Sequence, residues 1–388
     1  MNKAVIDFVE FITSDDAPKN NKENVIESAK KRFNLMQDRK VYFCNYFAVR
    51  FSFSKNGTFS NTILSLSHLL KYDKIPFFVV LVRGNNTNII YIANTTFLSK
   101  ISHSSKLLST DNIKGSFNGS DIMKKYGDIE NKPHNFKKLF AIHDGLDWSD
   151  NLLRLVDKSS KIKSQSQKFM PTSIQLDNIT SSIDRAISFT ASTNFSILEK
   201  DLNDRCESCK EAIWVASRID NINIRGRIIE AMITSTSSNR NTIIEALKNL
   251  EEALPVYDTH NELGDYVRSF ENGDTYTDIK TKIIYLDSAP KAYNIDKFLK
   301  KMAEKNSSFF FFFIGINEAG VCNTRLCSVY HNELLSVSKI QHHWSGRSTR
   351  GVIQFNGDMI NKILNAQNFK NNIDKNAAIK YISDLLQL

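Results

Sequence analysis

The 388-residue chain lacks a cysteine framework: its five cysteines are odd in number and show no disulfide spacing. That predicts a reducing, cytoplasmic setting. Cys206 and Cys209 form a lone C-x-x-C pair, and Cys322 and Cys327 lie five apart, so a four-sulfur zinc site is one reading. No histidine stands at ligand spacing and the second pair reads as part of a strand, so buried thiols are the expected state. No apolar run is long enough for a bilayer. Phe309–Phe313 is far too short and reads as a fully buried strand, so no membrane partner is expected. Asp7 and Glu10 interrupt the first apolar stretch, unlike a secretory signal. No repeat of solenoid period is visible, which excludes a stacked-repeat architecture.

What is present suits two or three folded domains. The apolar fraction is 41% and the charged fraction 24%, enough for real cores and too balanced for disorder. The net charge is +9 with a pI near 9.1. Its distribution is uneven: residues 41–125 hold ten basic residues and three acidic ones, an excess of seven. A local basic excess fits a nucleic-acid-binding face, and a merely solvated basic surface is the alternative.

Residues 1–40 carry helical periodicity, with Val5, Phe8, Val9, Phe11 and Ile12 on one face. Residues 41–100 are aromatic and β-branched, with turn signals at Lys55-Asn56-Gly57 and Gly84-Asn85-Asn86 and a helical insertion near 62–72. Residues 100–140 read as polar loops. The polar, basic stretch 157–175 reads as a linker. The division expected is a β-rich N-terminal DNA-recognition domain at 1–156, the linker, and an α/β domain at 176–388. In the latter, helices cover about 180–218 and 222–254, and strands lie around 263–286. A helix at 295–305, strands at 308–316 and 324–337, and a helical 357–388 follow. That order predicts a mixed sheet flanked by helices.

Chemistry concentrates in GDYVRSFENGDTYTDIKTK, residues 264–282. Asn272-Gly273 is a strong two-residue hairpin signal. With those two as the loop, Glu271 faces Asp274, Val267 faces Asp278 and Asp265 faces Lys280. Side chains alternate along a strand, so Asp265, Asp278 and Lys280 converge on one face. Ile279, Thr281, Ile283 and Tyr285 then point to the other face as core. Competing registers would use Asp274 or Asp258 instead. Two carboxylates beside one ammonium are costly unless balanced, and a divalent cation balances them. Mg²⁺ accepts one or two carboxylates and leaves room for a phosphate. The bland reading is an exposed hairpin with a cross-strand ion pair.

Asp265, a short gap and Asp278-Ile279-Lys280 resemble the PD-(D/E)XK nuclease signature, with Gly264 in place of the usual proline. The resemblance spans about residues 220–355 and extends more weakly over 40–150. It implies that Asp265, Asp278 and the carbonyl of Ile279 hold Mg²⁺ and that Lys280 acts at the attacking water. Glu230, in RGRIIEAMI, would be a supporting acid on a preceding helix. The implied protein is a type II restriction endonuclease cutting double-stranded DNA at a short site, working as a homodimer, with a cognate methyltransferase in the same system.

Two sets of residues are candidate DNA readers. The segment 338–355 offers His342, His343, Ser345, Arg347, Ser348 and Arg350, with arginines suited to guanine edges. Pairing with nearby acids, or phosphate contact without base reading, is the alternative. The N-terminal half offers Arg83, Asn94, His103, Ser105, Lys106 and Asn118 on an expected small β-barrel, or these residues serve as turn and cap formers. The rival functions are a nuclease requiring a modified base, a repair or junction nuclease, and a non-catalytic DNA-binding protein on a nuclease-like fold.

Overall fold

The computed structural model describes residues 2–14, 18, 21–54, 63–84, 87–104, 115–164, 168–249, 263–286, 290–343 and 346–388. The expected turns at Lys55-Asn56-Gly57 and Asn85-Asn86 lie outside them, as does Asp258. The protein is mixed α/β and forms two compact units. One comprises residues 1–166 with 342–348, the other 167–341 with 349–388. No described helix is long and apolar enough to cross a membrane.

The first unit opens with helices Lys3–Thr13 and Lys22–Phe33, capped by Asn2 and Asn21. A five-stranded sheet follows in the order Met36–Asp38, Val41–Phe43, Ala48–Ser54, Phe77–Arg83, Ile89–Ile92. Ala48–Ser54 and Phe77–Arg83 run parallel, because the helix Leu66–Tyr72 lies on the connection between them. Period-two alternation fills both faces. Phe78, Val80 and Val82 pack with Val5, Phe8 and Ile12, whereas Phe77 and Val79 pack with Leu66, Leu69 and Leu155. This five-stranded sheet is open, with helices packed against it; Ile63–Ser65, Gly115–Asn118 and His103–Ser104 pair in a separate three-stranded sheet, so the described strands do not close the expected small barrel. Residues 100–140 are less loop-like than their polarity suggests, holding the strand Gly115–Asn118 and the helix Phe136–Asp144. The helix Trp148–Ser160 runs into the expected linker because Leu155 and Ser159 are fully buried.

The second unit carries helices Ser173–Thr190, Thr193–Ser208, Lys210–Ser217, Ile222–Thr234 and Ser237–Lys248 before its main sheet. That sheet has the order Tyr266–Phe270, Gly273–Ile283, Ser307–Asn317, Gly320–Ser328. Its middle pair is parallel, joined through the helix Ile295–Met302. Phe309–Phe313 occupy the centre, all at most 1% exposed. Phe309, Phe311 and Phe313 belong to one apolar cluster, Phe310 and Phe312 to another. Each buried phenyl contributes about 1.5–3 kcal/mol relative to exposure. The strand expected at 324–337 instead ends at Ser328, and Asn332–Val337 is a short helix that buries Leu334.

The hairpin register differs from the expectation by two residues. Phe270 pairs with Gly273 and Tyr266 with Thr277, so the loop is Glu271-Asn272. Gly273 is needed elsewhere. It has φ +136°, and a Cβ there would meet the Asn306 carbonyl oxygen at 2.2 Å. Its missing side chain lets the parallel neighbour approach, where the Asp274 N–H donates to the Asn306 oxygen at 2.9 Å. A two-residue shift preserves side-chain parity, so Asp278 and Lys280 keep their common face. The strand ends at Ile283, leaving Tyr285 55% exposed and outside the core it was expected to join.

Gly273→Ala should lower stability by about 1–3 kcal/mol through strain and displacement of Asn306. Gly226→Ala, in a helix with nothing within 4 Å of the new methyl, should raise it by up to about 1 kcal/mol. Thermal melts of the two variants check both signs.

Candidate active site

The site forms where the long strand Gly273–Ile283 passes the start of its hairpin partner. Asp278 and Lys280 sit opposite Phe311 and Phe313 of the central strand. Their side chains form an ion pair, Lys280 Nζ to Asp278 Oδ2 at 2.6 Å, with 22% and 10% of each exposed. Asp265 precedes the outer strand. Its Oδ2 accepts the Ile279 N–H at 2.7 Å, which clamps it beside Asp278. Gly264 explains the missing proline. It has φ +87°, and a Cβ would meet Tyr276 Cβ at 2.8 Å. Proline, fixed near −65°, cannot adopt that conformation.

Glu230 arrives from the helix Ile222–Thr234, anchored by buried Ile228, Ile229 and Met232 in the cluster that holds Ile279. Burial raises the Glu230 carboxyl, and the Asp278 charge raises it further, so this acid belongs electrostatically to the same group. Asp265 is pushed up to about 9, first by burial and then by the Asp278 charge, partly offset by Lys280. Lys280 is held above its ordinary value: burial opposes the charge, but Asp278 and Asp265 outweigh it. The ammonium therefore persists at neutral pH. Three carboxyl groups share one lysine, and Asp265 stores the excess as a bound proton.

That donor set suits a hard divalent cation. It is all oxygen, with two adjacent carboxyl groups and too little positive charge around them. Among the described residues no three His, Cys, Asp or Glu side chains are grouped closely enough to hold a metal by themselves. Asp265, Asp278 and the Ile279 carbonyl remain the candidate ligands, a number consistent with Mg²⁺ retaining several waters.

Several neighbours were not foreseen. Asp201 accepts from the Tyr266 hydroxyl and pairs with Arg268 at 3.1 Å and Arg205 at 3.2 Å. This network holds the outer strand directly after Asp265. It joins residues some 65 positions apart, so no local pattern signals it. Lys282, 2% exposed, continues the Asp278–Lys280 face and donates to the Leu286 carbonyl. Arg227 is exposed, one helical turn before Glu230, and its charge draws the Glu230 carboxyl partly back down. The alternation K-x-K and the i,i+3 spacing of Arg227 and Glu230 were available signals.

The expected readers fare unevenly. Arg350 is corrected: it is 4% exposed, and its guanidinium pairs with buried Asp296 while its N–H donates to the same carboxylate. Burial without a partner is too costly for a guanidinium, so this arginine is structural. Asn94 is likewise corrected. It is fully buried, accepting the Phe77 N–H and donating to the Asp73 and Ile75 carbonyls. Asn118 caps the turn Gly119–Asp121. His342 ends a strand, His343 and Arg347 are half-buried, Ser348 is exposed, and Arg83 closes the strand Phe77–Arg83 half-buried. Ser345, Ser105 and Lys106 lie outside the described residues, and so does the His103 side chain. Cys206, Cys209 and Cys327 are buried and unbridged. Burial pushes the first two thiols up to about 12 and about 11, so neither is a thiolate at neutral pH.

The chain matches no model of a known protein family, and no curated protein sequence matches it.

Two outcomes follow. A carboxyl raised in the fold binds its proton more tightly folded than unfolded, so its contribution is lost as pH rises from about 4 towards about 9. Metal-free Asp265→Asn should therefore melt close to the parent at pH 5 and clearly above it at pH 8, because the amide needs no proton and can still accept from Ile279. A melting difference independent of pH would contradict the charge assignment. Arg350→Ala should cost about 3–5 kcal/mol by stranding Asp296 in the core, read as a lowered melting temperature with or without DNA.

Proposed function

We propose that the chain is a Mg²⁺-dependent endonuclease of the PD-(D/E)XK kind, acting on double-stranded DNA as a type II restriction enzyme. The observation that carries the reading is the convergence of Asp265, Asp278 and Lys280 on one hairpin with Glu230 in electrostatic reach. Phosphodiester hydrolysis needs a positioned water, a leaving oxygen that takes a proton, and stabilisation of charge on the phosphate. Lys280, kept protonated by Asp278, suits hydrogen bonding to the attacking water or to a phosphate oxygen better than it suits proton abstraction. Asp278 fixes the lysine at 2.6 Å and so sets where that donor points. Glu230, with its carboxyl raised by burial and by the Asp278 charge, is the group's candidate for proton exchange. Bound Mg²⁺, held by Asp265, Asp278 and the Ile279 carbonyl, would supply Lewis-acid stabilisation of the phosphate. Cutting both strands requires two such sites, which favours a homodimer. A cognate methyltransferase would protect the host's own sites.

The test is digestion of a plasmid library with Mg²⁺ and sequencing of the ends. Asp278→Ala and Lys280→Ala should each lower cutting by at least roughly 100-fold, with gel-shift binding in Ca²⁺ retained. Cutting that survives in either variant sinks the assignment. Cutting confined to methylated plasmid would instead favour a nuclease that requires a modified base, and binding without any nicking a non-catalytic DNA-binding protein.

A further inference from the structure

A second candidate site lies wholly within the first unit. Where the helix Lys22–Phe33 ends and the hairpin Val41–Ser54 turns, the surface opens into a cavity of about 560 Å³. Its floor is aromatic. Half-buried Phe33 faces the cavity, backed edge-on at 6.1 Å by Phe47, which is fully buried and stacked on Phe8 at 4.3 Å. Its rim carries Tyr46, 48% exposed at the tip of a turn closed by the Cys44 N–H donating to the Phe47 carbonyl. Asn34 in the left-handed region, φ 50°, ends the helix and lines the cavity.

The polar groups on this cavity are unspent. Asp7 and Asn45 line it, and neither side chain has a hydrogen bond or ion pair with a described residue. The Arg32 guanidinium lies over the Phe11 and Phe33 rings at 5.2 and 5.7 Å, its charge met by ring faces rather than by an acid. An exposed aromatic on the rim, half-buried Phe33 in the lining, one carboxyl group, one amide and one cation match the needs of a nucleotide. The base stacks, its edge is read, and its phosphate meets the arginine. The volume accommodates a single nucleotide unit. Asp7 narrows the class, because a carboxylate beside a polyanion is unfavourable unless it accepts from a base amino group.

We propose that this cavity binds one unpaired, amino-bearing nucleobase of a nucleic acid, stacked against Tyr46 and hydrogen-bonded by Asp7. The site owes nothing to the hairpin carboxylates, so its fate is separate from that of the cleavage reading. The test is saturation-transfer NMR on the full-length protein with deoxycytidine, deoxyadenosine, deoxyguanosine and thymidine. Transfer should reach base protons of the amino-bearing nucleosides and be weakest for thymidine. Tyr46→Ala should weaken binding roughly ten-fold, and the isosteric Asp7→Asn should erase the discrimination against thymidine. Asp278→Asn should leave both unchanged. Absence of transfer from all four nucleosides, or transfer indifferent to both Tyr46→Ala and Asp7→Asn, overturns the proposal. Asp7→Asn keeps the test open should Tyr46→Ala misfold.

Discussion

The parallel pairing of Ser307–Asn317 with Gly273–Ile283 is the contact on which the second unit depends. Five consecutive phenylalanines have no polar face to offer, so their strand must be covered on both sides. Helices from both ends of the unit supply that cover: Ser173–Thr190, Ile295–Met302 and Gly357–Asn365 on one side, Thr193–Ser208 and Ile222–Thr234 on the other. Arg185 ties the first of these to the strand, donating to the Ser307 carbonyl at 2.9 Å. Once the central strand is fixed, its neighbour's register follows, and with it Asp278 opposite Phe311 and Lys280 opposite Phe313. The charged groups are thus set into an apolar sheet face by the chain that pairs with it.

That placement is costly and self-limiting. Carboxylates moved from water into such a face need compensation, and one ammonium serves three of them. The structure responds by pairing Asp278 with Lys280, leaving Asp265 protonated and raising the Glu230 carboxyl. A fold selected for stability alone would place apolar residues at these positions, as it does at Ile279 and Ile283 on the opposite face. Retaining the charges makes sense for a site whose ligand carries the missing positive charge and whose substrate carries negative charge.

Period-two alternation was enough to gather Asp265, Asp278 and Lys280, because parity survives any even shift. The loop position was not legible. Asn272-Gly273 is a good local turn, but the conformation of Gly273 answers to Asn306, 33 residues away in the turn that leads into the central strand. The end of the strand at Ser328 was hidden for a similar reason: the apolar pattern continues through Val329 and Tyr330, and only the burial of Leu334 by a helical turn breaks it. The open sheet of the first unit was equally hidden, since strand runs do not reveal whether their ends meet. Long aromatic and β-branched runs, by contrast, announced themselves, and Phe309–Phe313 is a buried strand as read.

Polar residues were hardest to sort, and the arginines show why. Arg350 in SGRSTRG looks like a loop guanidinium near glycines, a favourable setting for a base contact. Asp296, 54 positions earlier, captures it in the core together with the Phe169 N–H. Arg227 in RGRIIEAMI looks like an ordinary helical surface residue, yet it is exposed one turn from the acid group. The two cannot be told apart by composition, because what separates them is whether an acid from a distant element has already satisfied the charge. A side chain whose hydrogen bonds are complete within the fold has little left to give a ligand. By that criterion Asn94 belongs to the architecture, and so do Asn118, spent on its cap, and Arg350, whose charge Asp296 has taken. Asp7, Asn45, Tyr46 and Arg227, none of them chosen for their sequence context, keep capacity for a partner.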